Sequence, residues 1–305
     1  YRAMVMTNLT PEHIEAHGGF EAYKQAKLKA LRVLEGKRGV FSVVNLGADF
    51  VEEFATVDVE TVVGFGRDDK PIRDVLVDRR VVANNIRMGK EGTDAEIDGE
   101  RVHIPLLGSF SFENALAAIA TVVQLGYALP DVLLAAQSLQ PIPGRLERFP
   151  FKGGEVIVDY APEPYALNAL YDVVNLLKPI RIIHVFGSCG GGRDVARRAV
   201  MGCMASEQDD VVIVTNEDPY DDDPLEIINA VADAAAQHGK KDGVDLFRVL
   251  DREEAIQKAV EMAREGDLVL VTGKGSEPVM AVAGGKKVPS DDREFVRRAL
   301  AKKSV

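Results

Sequence analysis

Two histidines, His13 and His17, stand four residues apart in Thr7-Asn-Leu-Thr-Pro-Glu-His-Ile-Glu-Ala-His-Gly18. On a helix that spacing puts both imidazoles on one face, where they can share a metal ion. Glu12 and Glu15 beside them could add oxygen ligands, or all four could simply solvate and cap the helix; the spacing alone favours the second. Lys27 lies between Lys24 and Lys29, and by itself this is a basic helix face. Gly187-Ser-Cys-Gly-Gly-Gly-Arg-Asp194 follows an apolar run and opens a helix. Backbone N–H groups in such a turn attract anions. Arg193, Arg197 and Arg198 add forked donors suited to carboxylate or phosphate, against a plain glycine turn as the alternative. No Gly-Lys-Ser/Thr closes the segment, so it is not a phosphate loop, and its spacing does not match the dinucleotide fingerprint. Gly273-Lys-Gly-Ser-Glu277 ends another apolar run and reads equally as a turn or a ligand contact. Gly144-Arg-Leu-Glu147 could reach a ligand or form an ion pair at a domain junction.

The elements that must position these residues fall into two units, 1–143 and 144–305. The break is the stiff segment Gln140-Pro-Ile-Pro-Gly144. The first unit predicts a strand at 3–7 and a helix N-capped by Thr10, with Pro11 at its first position and Gly18-Gly19 at its end. A second helix is expected at 20–34 and a strand at 41–46. Alternating strands are expected over 55–106, then an apolar helix at 108–125. The second unit alternates short Val/Ile/Leu runs (156–159, 182–186, 211–215, 246–249, 268–272) with helices (163–177, 194–206, 224–238, 252–264). That rhythm predicts an α/β, doubly wound, Rossmann-like domain with a parallel sheet covered on both faces. Ligands in such sheets sit at the carboxyl ends of strands. Asp159-Tyr160, Gly187–Asp194, Asn216–Tyr220 and Gly273–Glu277 all fall there.

Composition sets outer bounds. The 305 residues carry 37 basic and 48 acidic side chains, net −11, which disfavours nonspecific nucleic-acid binding. The two cysteines, Cys189 and Cys203, are too few for a disulfide scaffold and read as small residues in a reducing cytoplasm. No apolar run approaches the ~20 residues of a membrane span, and no signal peptide is visible.

Taken in order, these segments resemble the Mur ligase family, most closely the branch that adds the third amino acid to UDP-MurNAc-dipeptide. Thr7–His13 with His17-Gly18 is similar to the family's Thr-Asn…Asp-His…His-Gly segment, and Ala26-Lys27 to its modified-lysine helix. Asn114-Ala-Leu-Ala-Ala118 and Gly144-Arg-Leu-Glu147 resemble the adenine-side and hinge motifs. Val158-Asp-Tyr-Ala161, Gly190–Asp194 with Arg198, and Gly273–Glu277 resemble the C-terminal domain. The resemblance implies a partial central ATP-binding domain lacking the phosphate loop, followed by the C-terminal Rossmann-like domain. The sugar-nucleotide domain and phosphate loop of the family are missing, which reads as a fragment or split gene product, inactive alone.

The implied activity is ATP- and Mg2+-dependent amide formation between a UDP-MurNAc-peptide and a free amino acid, through an acyl phosphate, in cytoplasmic peptidoglycan precursor synthesis. In that reading His13 resembles a Mg2+ ligand and Lys27 the lysine whose carbamate helps place the metal. Asn114, Arg145 and Asp159 resemble nucleotide contacts, and Arg198, Asp218 and Glu277 contacts to the incoming amino acid. The chain departs from the family where diaminopimelate users carry Asp-Asn-Pro-Arg. Here the stretch is Glu217-Asp-Pro-Tyr220, and a tyrosine cannot clamp a distal carboxylate. Ser276 also replaces a histidine, and Pro162-Glu163 replaces His-Thr. A lysine-like diamine suits the acidic run Asp221–Asp223, which otherwise is a solvated helix entry. Two alternatives stand beside this. One is another ligase of the superfamily, folylpolyglutamate-synthase-like or cyanophycin-synthetase-like. The other is a non-catalytic module complementing a separate phosphate-loop chain.

Overall fold

The computed structural model describes residues 1–11, 17–192 and 195–303. It divides into two compact units, Tyr1–Gln140 and Pro141–Val305. The division falls at the start of the Pro-rich segment, slightly ahead of the expected 143/144.

The first unit comprises β1 (Ala3–Met6), α1 (Phe20–Leu31), β2 (Phe41–Asn45), α2 (Val51–Ala55), β3 (Thr61–Arg67), β4 (Arg79–Gly89), β5 (Gly92–Ile97), β6 (Glu100–Ile104), α3 (Ser109–Gln124) and α4 (Leu129–Ala136). The sheet order is β1-β2-β3-β4-β5-β6. The first four strands are parallel, and β5 and β6 extend the sheet as an antiparallel meander. All five residues of β2 are buried because both its faces are covered. Phe41 and Val43 pack with Phe112, Leu116 and Ile119 of α3. Val44 turns the other way, toward Leu28 and Leu31 of α1 and Phe54 of α2.

Three details differ from expectation. The helix expected at 20–34 tightens into a 3-10 turn over Arg32–Leu34 before Gly36, whose φ is 68°. The start of the expected strand region is the end of helix α2, and residues 68–78 carry no strand. There Pro71 lacks an N–H, and Asp69 is drawn back onto Arg67. Helix α4 lies where no element was expected.

The second unit comprises β7 (Glu147–Phe151), β8 (Gly154–Val158), α5 (Pro164–Leu177), β9 (Arg181–Phe186), α6 (Ala196–Gln208), β10 (Val211–Thr215), α7 (Pro224–Gln237), β11 (Leu246–Val249), α8 (Arg252–Met262), β12 (Asp267–Val271), the hairpin β13 (Val279–Val282) and β14 (Lys286–Pro289), and α9 (Asp292–Lys303). The main sheet runs β11-β10-β9-β12-β8-β7. Its first five strands are parallel, as expected. The sixth, β7, is an unexpected antiparallel edge strand, a position that tolerates its Pro150. The hairpin and α9 also lie outside the expected elements. Val156, Val158, Ile183, Val185, Val269 and Val271 pack with Ala255, Ile256 and Ala259 of α8 and Val296 of α9. The intervening Ile157, Val212, Val214, Leu268 and Leu270 are buried too. By the two-residue period of a strand they line the opposite face, so the sheet is wound on both sides. Among the described residues no helix is long and apolar enough to cross a membrane.

Candidate active site

Strands β8, β9, β10 and β12 run parallel, so the loops leaving their carboxyl ends share one edge of the second unit. The loop after β8 starts at Asp159, which is buried. Its Oδ2 accepts from Leu146 N at 2.8 Å and its Oδ1 from Ala161 N at 2.9 Å. Burial pushes this carboxyl above its ordinary range, and the two amides and the Arg145 charge only partly pull it back. The Arg145 guanidinium lies 4.2 Å from the centroid of the Tyr160 ring. Gly144 has φ +70°, and a Cβ there would lie 2.2 Å from Ser276 N, so only glycine fits. Gly273 N donates to Tyr160 O at 3.0 Å. The segments around Arg145, Asp159 and Gly273 are therefore one packed assembly.

The loops after β9 and β10 are laced together. Cys189 Sγ donates to Glu217 Oε1 at 3.2 Å, Gly190 N to Asp218 O at 3.0 Å and Gly191 N to Asp222 Oδ2 at 3.1 Å. Asp218 and Tyr220 both take positive φ, 40° and 52°. The Tyr220 ring lies so close over Gly191 that a Cβ there would meet it at 2.7 Å. Glu217 is fully buried, and its Oε2 has no hydrogen-bond partner. Burial pushes its carboxyl up, against the Arg252 charge and the Cys189 hydrogen bond. Burial and the Glu217 charge likewise push the Cys189 thiol up, so it is not a ready thiolate. Arg197 donates from Nε to Ser188 Oγ at 3.2 Å, and its Nη2 is buried without a partner. Arg198 faces Asp222 at 3.6 Å and donates from Nη2 to Cys189 O at 3.4 Å; its Nε is buried and unpartnered.

The loop after β12 supplies Lys274, almost wholly buried. Its Nζ donates to both oxygens of Asp218, at 2.8 and 2.7 Å, and to Glu277 Oε2 at 2.6 Å. Burial by itself lowers this ammonium's pKa, but the bonds to Asp218 and Glu277 outweigh it and the net shift is upward. Asp218 also accepts from Ala281 N at 2.7 Å. Two residues expected to meet the amino acid, Asp218 and Glu277, thus converge on one cation. The third, Arg198, is tied through Asp222 to the same β10 loop. Lys274 and Glu217 were not expected in these roles; Arg197, expected as an anion donor, and Asp222, expected within an acidic run suited to a diamine or as a solvated helix entry, join them in the segments singled out by sequence.

Two buried clusters support this edge. Arg252, at the start of α8, donates to both oxygens of Asp292 at 2.7 and 2.8 Å and to the carbonyls of Asn216 and Thr272. His184 on β9 contacts Asp209 at 2.8 Å and Thr272 at 2.9 Å, and Tyr171 donates to the same Asp209 oxygen at 2.8 Å. The first binds the ends of β10 and β12 to two helices; the second fixes β9 against β12 from the other face.

In the first unit, Lys27 is exposed, with Nζ 5.1 Å from the centroid of the Tyr23 ring. His17 stacks tilted on the same tyrosine at 5.2 Å. The neighbouring Lys24 is buried and committed to Glu53 at 2.6 Å and Glu21 at 3.0 Å. Asn114 is exposed on α3. Next to it Glu113 accepts from Arg67 at 3.0 Å and Lys70 at 3.1 Å. His13, expected as a metal ligand, lies outside the described residues, as do Arg193 and Asp194 of the glycine segment. Among the described residues no group of three or more His, Cys, Asp or Glu is placed to hold a metal ion.

Comparison with known proteins places this geometry in context. Residues 1–122 match the Mur ligase middle domain, and residues 144–275 match the domain described as Mur ligase, glutamate ligase domain. A UDP-N-acetylmuramoyl-L-alanyl-D-glutamate–2,6-diaminopimelate ligase of Geobacillus kaustophilus is 33% identical over 98% of this chain and 60% of its own length. A solved structure of a ligase of the same name is 25% identical, with TM-score 0.58, over 100% of this chain and 61% of that one. The MurF ligase of Thermotoga maritima, solved in complex with ADP, shares the fold at 16% identity and TM-score 0.66, over 99% of this chain and 62% of its own. The chain therefore spans about three fifths of the length of the relatives it matches.

Proposed function

Because the chain belongs to the Mur ligase family, whose middle and C-terminal domains it matches, we propose that it forms part of a MurE-type ligase. The reaction is ATP-dependent joining of an amino acid to a UDP-MurNAc-peptide in cytoplasmic peptidoglycan precursor synthesis. The γ-phosphoryl group of ATP passes to the peptide's carboxylate, giving an acyl phosphate and ADP. The acceptor's amine then attacks the acyl carbon. A C–N bond forms, the bond to phosphate oxygen breaks, and the amine loses a proton. Positioning and charge stabilisation supply most of the catalysis in such a transfer.

The observation that carries the proposal is the convergence on one sheet edge of Arg198, of Asp218 and Glu277 around Lys274, and of the packed Arg145–Asp159 assembly. Arg198 takes the acceptor's α-carboxylate, its guanidinium having hydrogen-bonding capacity that the surrounding side chains leave unfilled. Asp218 and Glu277 face its cationic end. Arg145 and Asp159 contact the nucleotide, with the Arg145–Tyr160 stack offering a flat cationic surface. His13 and a carbamate on Lys27 would hold Mg2+, which when bound neutralises phosphate charge. The exposed Lys27, with no ion pair among the described residues, suits that role better than Lys24, which two carboxylates hold as an ammonium.

The acceptor we assign is a lysine-like diamine. Tyr220 brings no guanidinium to pair with a distal carboxylate, while Asp218 and Glu277, sharing the one Lys274 ammonium, keep a net negative charge between them that suits a second ammonium. The test is phosphate release by the ligase that contains these two units, given ATP, UDP-MurNAc-dipeptide and lysine, ornithine or meso-diaminopimelate. Release is expected to require all three components. Preference for meso-diaminopimelate overturns the acceptor assignment, and release that ignores the UDP-sugar peptide overturns the ligase assignment.

A further inference from the structure

We propose that Asp222 is a positioning residue for the acceptor's carboxylate. It fixes Arg198 and the glycine turn in one arrangement, in which the Arg198 Nε stays buried and unpaired. The inference rests on the assignment of Arg198 made above. One oxygen, Oδ2, serves both partners: it accepts from Gly191 N at 3.1 Å and faces Arg198 Nη2 at 3.6 Å. Asp222 is itself anchored, with its N donating to Pro219 O at 3.1 Å. The following residue, Asp223, N-caps α7 by accepting from Leu225 N at 2.8 Å. A Cβ on Gly190 would meet Pro219 O at 2.2 Å and Asp222 Oδ2 at 2.8 Å, so the turn and Asp222 are in close contact.

The charge balance gives Asp222 its role. The Arg198 side chain is only 11% exposed, and an uncompensated guanidinium at that depth is costly. Asp222 is the one carboxylate paired with it among the described residues, and its own side chain is 46% exposed. Without that charge the Arg198 side chain keeps, among the described residues, a single long contact, to Cys189 O at 3.4 Å. A long side chain so weakly held loses the fixed fork on which bidentate carboxylate recognition depends. A different role has the opposite sign: if Asp222 chiefly repelled the incoming carboxylate, removing its charge would tighten binding.

Asp222→Asn separates these effects, since the amide oxygen still accepts from Gly191 N while the charge is gone. In the ligase containing these units, Asp222→Asn is expected to raise the amino-acid KM about tenfold, roughly the weight of one charge-assisted contact. The ATP KM and kcat should stay near the parent's, with only a small drop in melting temperature because Asp222 is itself half-exposed, and Asp222→Glu should recover most of the loss. An unchanged or lower amino-acid KM in Asp222→Asn overturns the positioning role but leaves Arg198 in place. Parallel loss of every kinetic constant together with a lower melting temperature makes Asp222 a fold residue and also overturns it. An Arg198→Ala variant with normal amino-acid KM removes the underlying assignment instead.

Discussion

Replacing Arg252 by Met should destabilise the second unit by about 3–4 kcal/mol. Arg252 and Asp292 form a bidentate pair at 2.7 and 2.8 Å, with side chains 2% and 0% exposed. Removing one member of such a pair typically costs about 3–5 kcal/mol, because the other is left as a buried, unpaired charge. Methionine refills much of the volume, which keeps a cavity contribution small. Asp292 opens α9, and the partial positive charge of that helix end returns about 0.3–1 kcal/mol. Subtracting this from the middle of the range gives the expected figure. Two further charge-assisted bonds go with the pair, to Asn216 O at 3.2 Å and Thr272 O at 2.7 Å, so the loss should not fall below the estimate. Urea unfolding followed by circular dichroism at several wavelengths measures it. The double variant Arg252→Met/Asp292→Leu should be markedly more stable than Arg252→Met, since an apolar pair replaces the charge pair. A loss under about 1 kcal/mol, or a double variant no better than the single, refutes the reasoning.

Gly273→Ala should lower the melting temperature by at least about 4 °C, the equivalent of roughly 1–2 kcal/mol for a unit of this size. Its φ is +108° and the new Cβ would lie 1.9 Å from Glu217 Oε2; an unchanged melting curve counts against this. Burial holds Glu217 above the ordinary 4.5, so the folded state binds that proton more tightly than the unfolded chain and ionisation costs stability at neutral pH. Glu217→Gln should therefore be more stable than the parent at pH 7, with the advantage shrinking as pH falls toward 4.5; urea midpoints from pH 4 to 8 that show it growing would contradict the sign. Lys27→Ala should reduce ligase turnover by several orders of magnitude, with partial rescue by short carboxylates, whereas Lys24→Met should chiefly lower stability. Near-normal turnover in Lys27→Ala would remove the carbamate role.

The parallel strands of the second unit are legible because they are buried on both faces and read as unbroken Val/Ile/Leu runs, as at Val211–Thr215. The edge strand β7 is not, because Glu-Arg-Phe-Pro-Phe half faces solvent and carries a proline that an interior strand would exclude. The hairpin β13–β14 escapes for a similar reason: its second strand, Lys-Lys-Val-Pro, is exposed throughout. At the candidate site, local signals named the loops but not their pairings. Asp218 and Lys274 are 56 positions apart and Arg252 and Asp292 are 40 apart, so no spacing rule connects them. Glu217 looks like any loop carboxylate until the fold closes Gly187 and Gly273 around it.

The order of strands in the second sheet has a consequence for how the chain is made. β8 and β9 follow each other in sequence, yet they never touch; β12 lies between them. Eighty residues, 187–266, separate the end of β9 from the start of β12. At synthesis rates of about 5–20 residues per second, the two early strands wait roughly 4–16 s for the one that joins them. Closing a sheet on so distant a partner is also slow in a free chain. Lys274 and Glu277 arrive immediately after that closing strand, so the charged cage around Asp218 can be assembled only once the sheet is complete. A nascent chain stopped before Asp267 would expose two unpaired, apolar strand edges, the form in which this protein would be most prone to aggregate and most in need of a chaperone.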